Sequence, residues 1–192
     1  MEWTKVEDFL PYIMNEVTPC PQNIALQYLR NALIEFCSES WAWNIWTDKE
    51  TVEAGSKDIY VDVPNQSTPD GLMAVTKNDL PYSLDNIELE YNTVTLGKEL
   101  EQDSTFQFKL ALKPIREAEI VPAWLYEDYL EAVSFGAKYK LASMAGQPWA
   151  NGELAQYAYN EFRKGVSQAG ARKRAKGNTR RSKKVKPKSF IV

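Results

Sequence analysis

The last thirty residues hold twelve Lys and Arg and no acid, and nothing else constrains the chain as strongly. The cations are Arg163, Lys164, Arg172, Lys173, Arg174, Lys176, Arg180, Arg181, Lys183, Lys184, Lys186 and Lys188, and the last acid is Glu161. Of 23 Lys+Arg, 11 precede residue 163, where all 26 Asp+Glu lie. Residues 1–162 are therefore formally −15 and the remainder +12, a division that the net charge of −3 conceals. A segment this charged cannot bury enough apolar surface to offset the entropy of ordering it. The expectation is an acidic globular body with a basic arm, mobile on its own and made for another surface.

The body has the means to fold. The chain is 44% hydrophobic and 12% aromatic, with six Trp and ten Tyr, and most of this precedes the arm. A length of 192 residues fits one domain, or one with an inserted lobe. No apolar run is long enough to span a bilayer, and Met1-Glu2-Trp3-Thr4-Lys5 lacks the layout of a signal peptide. A cytosol-like compartment, or export inside an assembly, is expected.

Histidine is absent, which removes the commonest general base and the commonest zinc ligand. The two cysteines, Cys20 and Cys37, match no metal or redox spacing, and Cys37 reads as a small buried hydrophobe on a helix face. Glu88 and Glu90 share one strand face, and Glu99, Glu101 and Asp103 crowd one loop. Without a motif they read as solvated carboxylates rather than a catalytic pair or Mg²⁺ site. Neither a phosphate-binding glycine loop nor a G-x-S-x-G elbow occurs. No enzyme site is recognisable, and no cofactor or metal is expected. Trp41, Trp43 and Trp46 could form a stacking platform for bases, but nothing basic is expected beside them, so core or subunit-interface packing is the preferred reading.

Periodicity gives the outline. Proline-interrupted turns at Phe9-Leu10-Pro11-Tyr12 and Thr18-Pro19-Cys20-Pro21 lead into a helix from Gln22 to about Trp41, with a stripe of Ala25, Leu29, Ala32, Leu33, Phe36 and Cys37. The period then changes to two, in Ile59, Val61 and Val63, in Ile87, Leu89 and Tyr91, and most clearly in Phe106, Phe108, Leu110 and Leu112. Pro69-Asp70-Gly71 reads as a turn before a short strand at Leu72–Thr76. A second helix follows Val121, with Pro122 in its first turn and a stripe of Leu125, Tyr129, Val133, Ala137 and Leu141. Gly146-Gln147-Pro148 breaks it, and Asn151 caps a third helix with the stripe Leu154, Ala158, Phe162 and Val166, extending toward Ala171.

The expected class is α+β. A mainly helical bundle of three helices carries a small antiparallel β lobe of four to six strands between helix 1 and helix 2, followed by the flexible basic arm. The divisions are 1–46 (N-terminal segment and helix 1), 47–114 (β lobe), 115–171 (helical hairpin) and 172–192 (arm).

The arm allows two readings. As a nucleic-acid arm it would bind phosphates without sequence preference and with steep salt dependence. It lacks the interleaved aromatics of a single-strand binder. It also finishes in Ser189-Phe190-Ile191-Val192, which suits a hydrophobic pocket or a sheet edge better than DNA. Protein docking is the preferred reading.

Several stretches also match one pattern together. They are Phe9-Leu10-Pro11, Cys20-Pro21, Ile24-Ala25-Leu26, Leu29-Arg30-Asn31-Ala32, Ile34-Glu35-Phe36-Cys37 and Trp41, then Leu110-Ala111-Leu112-Lys113-Pro114, Val121-Pro122-Ala123-Trp124-Leu125, Glu127-Asp128-Tyr129, Gly136-Ala137 and Gly146-Gln147-Pro148-Trp149, before a helix that runs into an Arg/Lys-rich end. This resembles the head-to-tail adaptor (connector) proteins of tailed bacteriophages, particularly short-tailed types, over nearly the whole chain, the β lobe least.

The resemblance implies a structural virion protein at the head–tail junction, present in the host cytoplasm during assembly. It implies a ring, typically a dodecamer, beneath the portal protein, with helices as its wall. The β lobe would meet the next tail component, and double-stranded DNA would pass through the lumen. The family offers no catalytic residues. Its portal-docking segment maps to Arg172, Lys173, Arg174, Lys176, Arg180, Arg181, Lys183, Lys184, Lys186, Lys188, Phe190, Ile191 and Val192. The alternative from another class is a small non-specific DNA-binding protein using the same arm. No membrane partner is expected.

Overall fold

Phe106, Phe108, Leu110 and Leu112 alternate along one strand and are all buried, and the rest of the fold is arranged around that row. The computed structural model describes residues 2–177, those from 172 onward in backbone only. In chain order the elements are β1 (Trp3–Lys5), a 3-10 turn (Val6–Phe9), α1 (Pro11–Met14), α2 (Gln22–Ser40), β2 (Asn44–Trp46), β3 (Glu50–Val52), β4 (Asp58–Tyr60), β5 (Ser67–Lys77), β6 (Leu80–Tyr82), β7 (Glu88–Glu90), β8 (Thr93–Thr95), β9 (Ser104–Pro114), β10 (Ile120–Pro122), α3 (Ala123–Ala142) and α4 (Gly152–Gly177).

The strands form three antiparallel sheets. One pairs β1 with β10, one runs β2-β9-β5-β6 with β3 also on β9, and one runs β4-β8-β7. The expected mainly helical three-helix bundle with a small inserted lobe is therefore not what forms. About 39% of the structure is helix and 27% strand, in four α-helices and ten strands among the described residues. Strand pairing is not confined to an insertion. β2 lies before residue 47, and β1 and β10 close a ladder from outside both ends of the lobe. Strands such as β1, β2 and β10, three residues each, are too short to show an alternation, so sequence periodicity passes over them. Sheet and helices also share one core, because Leu29, Phe36, Phe108, Leu125 and Phe162 belong to the same buried cluster.

Local chemistry explains two further departures. Pro69-Asp70-Gly71 is not a turn but lies inside β5, which runs from Ser67 to Lys77 with register irregularities between Pro69 and Gly71 and between Leu72 and Ala74. At this end β5 pairs only with β9, since β6 joins it from Val75 onward, so the missing N–H of Pro69 falls on an open edge. Gly71 is needed for a different reason. A Cβ there would stand 2.9 Å from the Trp41 ring, which lies against the strand backbone. Trp41 itself ends α2 in a left-handed conformation (φ 52), its N–H donating to the Cys37 carbonyl at 2.9 Å.

The helix starting near Val121 begins later than expected, because Ile120–Pro122 pairs with β1 and Pro122 stands just outside α3. Tyr129 interrupts α3 with a non-helical φ of −132° and packs against Phe36 at 5.0 Å between ring centroids. Asn151 caps α4 as expected, its side-chain oxygen accepting from the N–H groups of Glu153 and Leu154, both at 3.1 Å.

α3 and α4 approach closely because small residues face each other. A Cβ on Gly165 would lie 2.4 Å from that of Ala132, and one on Gly136 would meet Phe162 at 2.8 Å and Ala32 at 3.0 Å. Gly165→Ala should therefore destabilise the protein, since overpacking of about 1–3 kcal/mol exceeds the roughly 1 kcal/mol gained in helix propensity. Gly152→Ala, where nothing lies within 4 Å, should leave stability unchanged or slightly raised. Urea unfolding of both variants checks the pair, and equal midpoints would show that the helices can move apart freely.

Candidate docking surface

The arm is rooted in α4, so the site begins with what holds that helix. Ala158, Phe162, Val166 and Ala169 are buried on one face, and Ala169 is the last described residue that the core covers. The backbone remains helical to Gly177, beyond the expected limit near Ala171. The backbone of Arg172, Lys173, Arg174 and Lys176 thus continues a helix already fixed in the body. Their side chains, and Arg180, Arg181, Lys183, Lys184, Lys186, Lys188, Phe190, Ile191 and Val192 altogether, lie outside the described residues.

Ring contacts and ion pairs fasten α4 and α3 to α2. Phe135 meets Tyr157 edge-on at 5.6 Å, and Tyr139 meets both Tyr159 (5.4 Å) and Phe162 (5.7 Å). Arg163 on α4 pairs with Glu39 on α2, and the buried Lys138 pairs with Glu16. Glu35 takes two partners from α3, Lys140 at 2.5 Å and the Tyr139 hydroxyl at 3.1 Å. Arg30 donates from Nε to the Ala118 carbonyl at 3.0 Å, tying α2 to the turn that precedes β10.

The end of α3 beside α4 is acidic. Glu127, Asp128 and Glu131 with Gln168 line an open concavity of about 330 Å³. The carboxylates singled out in sequence are scattered rather than gathered. Glu88, Glu90, Glu99 and Glu101 are exposed, while Asp103 accepts the Ala54 N–H at 2.9 Å. Among the described residues no three groups are disposed to hold a metal ion.

The three tryptophans divide. Trp43 is buried and edge-on to Trp3 at 6.1 Å, whereas Trp41 and Trp46 remain 40% and 46% exposed. The expectation that nothing basic adjoins them needs correction, because Lys109 Nζ lies 5.7 Å from the Trp46 ring centroid. The two are cross-strand neighbours in the β2–β9 register. Only the pairing of strands far apart in sequence brings them together. Tyr60, Leu80 and Tyr91, large apolar side chains of the β region, are 63%, 69% and 81% exposed. Cys37 is fully buried, and burial, with the Asp70 charge adding, pushes its thiol well above the usual range.

Compared with known proteins, the chain matches no family model and no curated protein.

Two neighbouring groups of this helical junction, Tyr139 and Lys140, are shifted from their ordinary values. Burial raises Tyr139 above its ordinary 10.0, against the pull of Lys140 and with Glu35 adding. Burial opposes the Lys140 charge, but Glu35 and Tyr139 outweigh it, so Lys140 rises above 10.5. Both folded values exceed the unfolded ones, so the stability they contribute is whole below about pH 10 and is lost as pH climbs through the folded values. Unfolding free energy should fall above pH 10, and Glu35→Gln should make that fall shallower. An identical alkaline slope in the variant would remove Glu35 from the coupling.

Proposed function

We propose that this chain is a head-to-tail adaptor of a tailed bacteriophage, a ring subunit beneath the portal that joins capsid to tail and passes the DNA genome. The observation that carries the reading is the continuity of α4. A helix locked into an acidic body by Phe162, Val166 and Ala169 runs on to Gly177, carrying the backbone of the first cations of the basic segment. That is the arrangement a docking arm requires, a fixed root and a cationic end of opposite charge to its own body. The exposed Tyr60, Leu80 and Tyr91 support a second interface on the β region, suited to the next tail component. A body of formal charge −15 supports a lumen that repels passing duplex rather than gripping it. Twelve copies in the ring follow from the family resemblance.

In this reading charge steers the arm and apolar residues hold it. Ten of residues 172–192 are cationic, and their attraction to an acidic portal surface acts over a Debye length of about 8 Å at physiological salt. Exposed ion pairs contribute roughly 0–1 kcal/mol each, whereas burying Phe190, Ile191 and Val192 contributes about 1.5–3 kcal/mol per side chain. The same ten cations favour the second reading, non-specific DNA attachment.

Mixing the purified chain with its portal protein separates the two. Deleting Ser189–Val192 should leave weak, salt-sensitive association, while charge reversal across Arg180–Lys188 should slow association more than it shortens the docked lifetime. Full heads bearing tails, assembled by a chain truncated after Ala171, would overturn portal docking by the arm. Retention of duplex DNA by the arm, with portal ignored, would favour the second reading.

A further inference from the structure

A groove between the two larger sheets combines an open strand edge, apolar walls and a rim of carboxylates. β2 stands at the end of its sheet, so one flank of Asn44–Trp46 has no strand partner. Facing it is the stretch 61–65, which follows β4 of the three-stranded sheet, and between them lies a groove of about 530 Å³. Ile45, Trp46 and Val63 supply apolar wall, and Asp48, Glu50 and Asp62 are exposed carboxylates along it. No Lys or Arg lines it. Of the nearest cations in sequence and register, Lys49 pairs with Asp79 at 2.5 Å, and Lys109 places its Nζ 5.7 Å from the ring centroid of Trp46, itself part of the wall. The groove is also firmly backed. Thr47 is held against β9 on both sides, its hydroxyl accepting the Phe108 N–H at 3.1 Å and its carbonyl accepting from Gln107 Nε2 at 2.9 Å.

The chain itself holds a segment of complementary chemistry. Residues 183–192 comprise Lys183, Lys184, Lys186 and Lys188, the apolar Val185, Phe190, Ile191 and Val192, with Pro187 and Ser189 among them, and no acid. Such a peptide can add to an open sheet edge, with main-chain hydrogen bonds for affinity and alternate side chains for fit. The root of the arm favours the same chain as donor. Gly165 packs on Ala132, and Gln168 lies beside Glu127–Glu131, so α4 runs back toward the start of α3. That end joins β10, whose partner β1 carries Trp3 against Trp43, immediately before β2. From Gly177 to Phe190 an extended chain spans roughly 43 Å at about 3.3 Å per residue, enough to cross the face of a domain of this size.

We propose that this groove is the resting site of residues 183–192 of the same chain, laid along the open edge of β2 with lysines on the Asp48, Glu50 and Asp62 rim. The inference goes beyond the adaptor reading, giving the arm a place before any partner arrives. It needs no portal, so it and the portal reading can fail separately.

The test uses the full chain alone at low ionic strength, with Phe190→p-benzoylphenylalanine as a photo-crosslinker and peptide mapping as readout. Cross-links should fall within residues 44–50 or 61–65 of the same chain, at a yield unchanged on dilution. Reversing Lys183, Lys184, Lys186 and Lys188 to Glu should cut the yield roughly tenfold or more, as expected when several exposed ion pairs are lost together. Adding Asp48→Lys, Glu50→Lys and Asp62→Lys to that chain should restore it. Cross-links elsewhere on the body, cross-links only between copies, or a yield indifferent to the reversal would overturn the proposal. Should the groove substitutions unfold the chain, hydrogen exchange on the unsubstituted protein decides instead. The amides of Asn44 and Trp46 should lose protection as salt rises, and salt-independent exchange there would equally overturn it.

Discussion

The packing of β9 against α2 is the interaction on which the other elements depend. β9 is hydrogen-bonded on both flanks, to β2 and β3 on one side and β5 on the other. Its Phe106, Phe108, Leu110 and Leu112 are buried completely or almost so, and each side chain of this kind contributes about 1.5–3 kcal/mol on burial. α2 spends its own apolar residues in two directions. Leu29, Leu33 and Phe36 join the shared core, while Ala32 faces Gly136 closely enough that α3 can approach its backbone. A helix bound on one side by a sheet and on another by a helical hairpin fixes both, so a change at β9 reaches α4 through α2.

Electrostatics follow a different rule from packing. Four of the 11 cations in residues 1–162 are committed to local ion pairs: Lys138 to Glu16, Lys140 to Glu35, Lys113 to Asp70 and Lys49 to Asp79. Pairs as exposed as Lys49–Asp79 add little stability. In residues 1–162 the 26 acids outnumber the 11 cations, which gives the body a negative field. A field of this kind favours association with cationic segments and keeps like bodies apart. The adaptor reading and the resting site proposed for the arm draw on that same surplus, one directed at a partner and the other at the chain's own groove.

What the sequence determined by itself is whatever depends on neighbours along the chain. The stripe from Ala25 to Cys37 predicted α2 to within a residue, the Phe106–Leu112 alternation predicted the interior of β9, and Asn151 predicted the start of α4. The division of charge was equally plain, because it needs only counting. Tertiary structure decided the rest, through pairings between segments far apart in the chain. Ser67–Lys77 became one long strand through a Pro-Asp-Gly sequence because β9 was there to pair with it and its other edge was open. Strands of three residues formed only because partners supplied their hydrogen bonds. Lys109 met Trp46, and the β2 edge came to face residues 61–65, through register and sheet placement alone. A local pattern records what a segment can become, but an open edge and the groove beside it exist only after distant strands have chosen their partners.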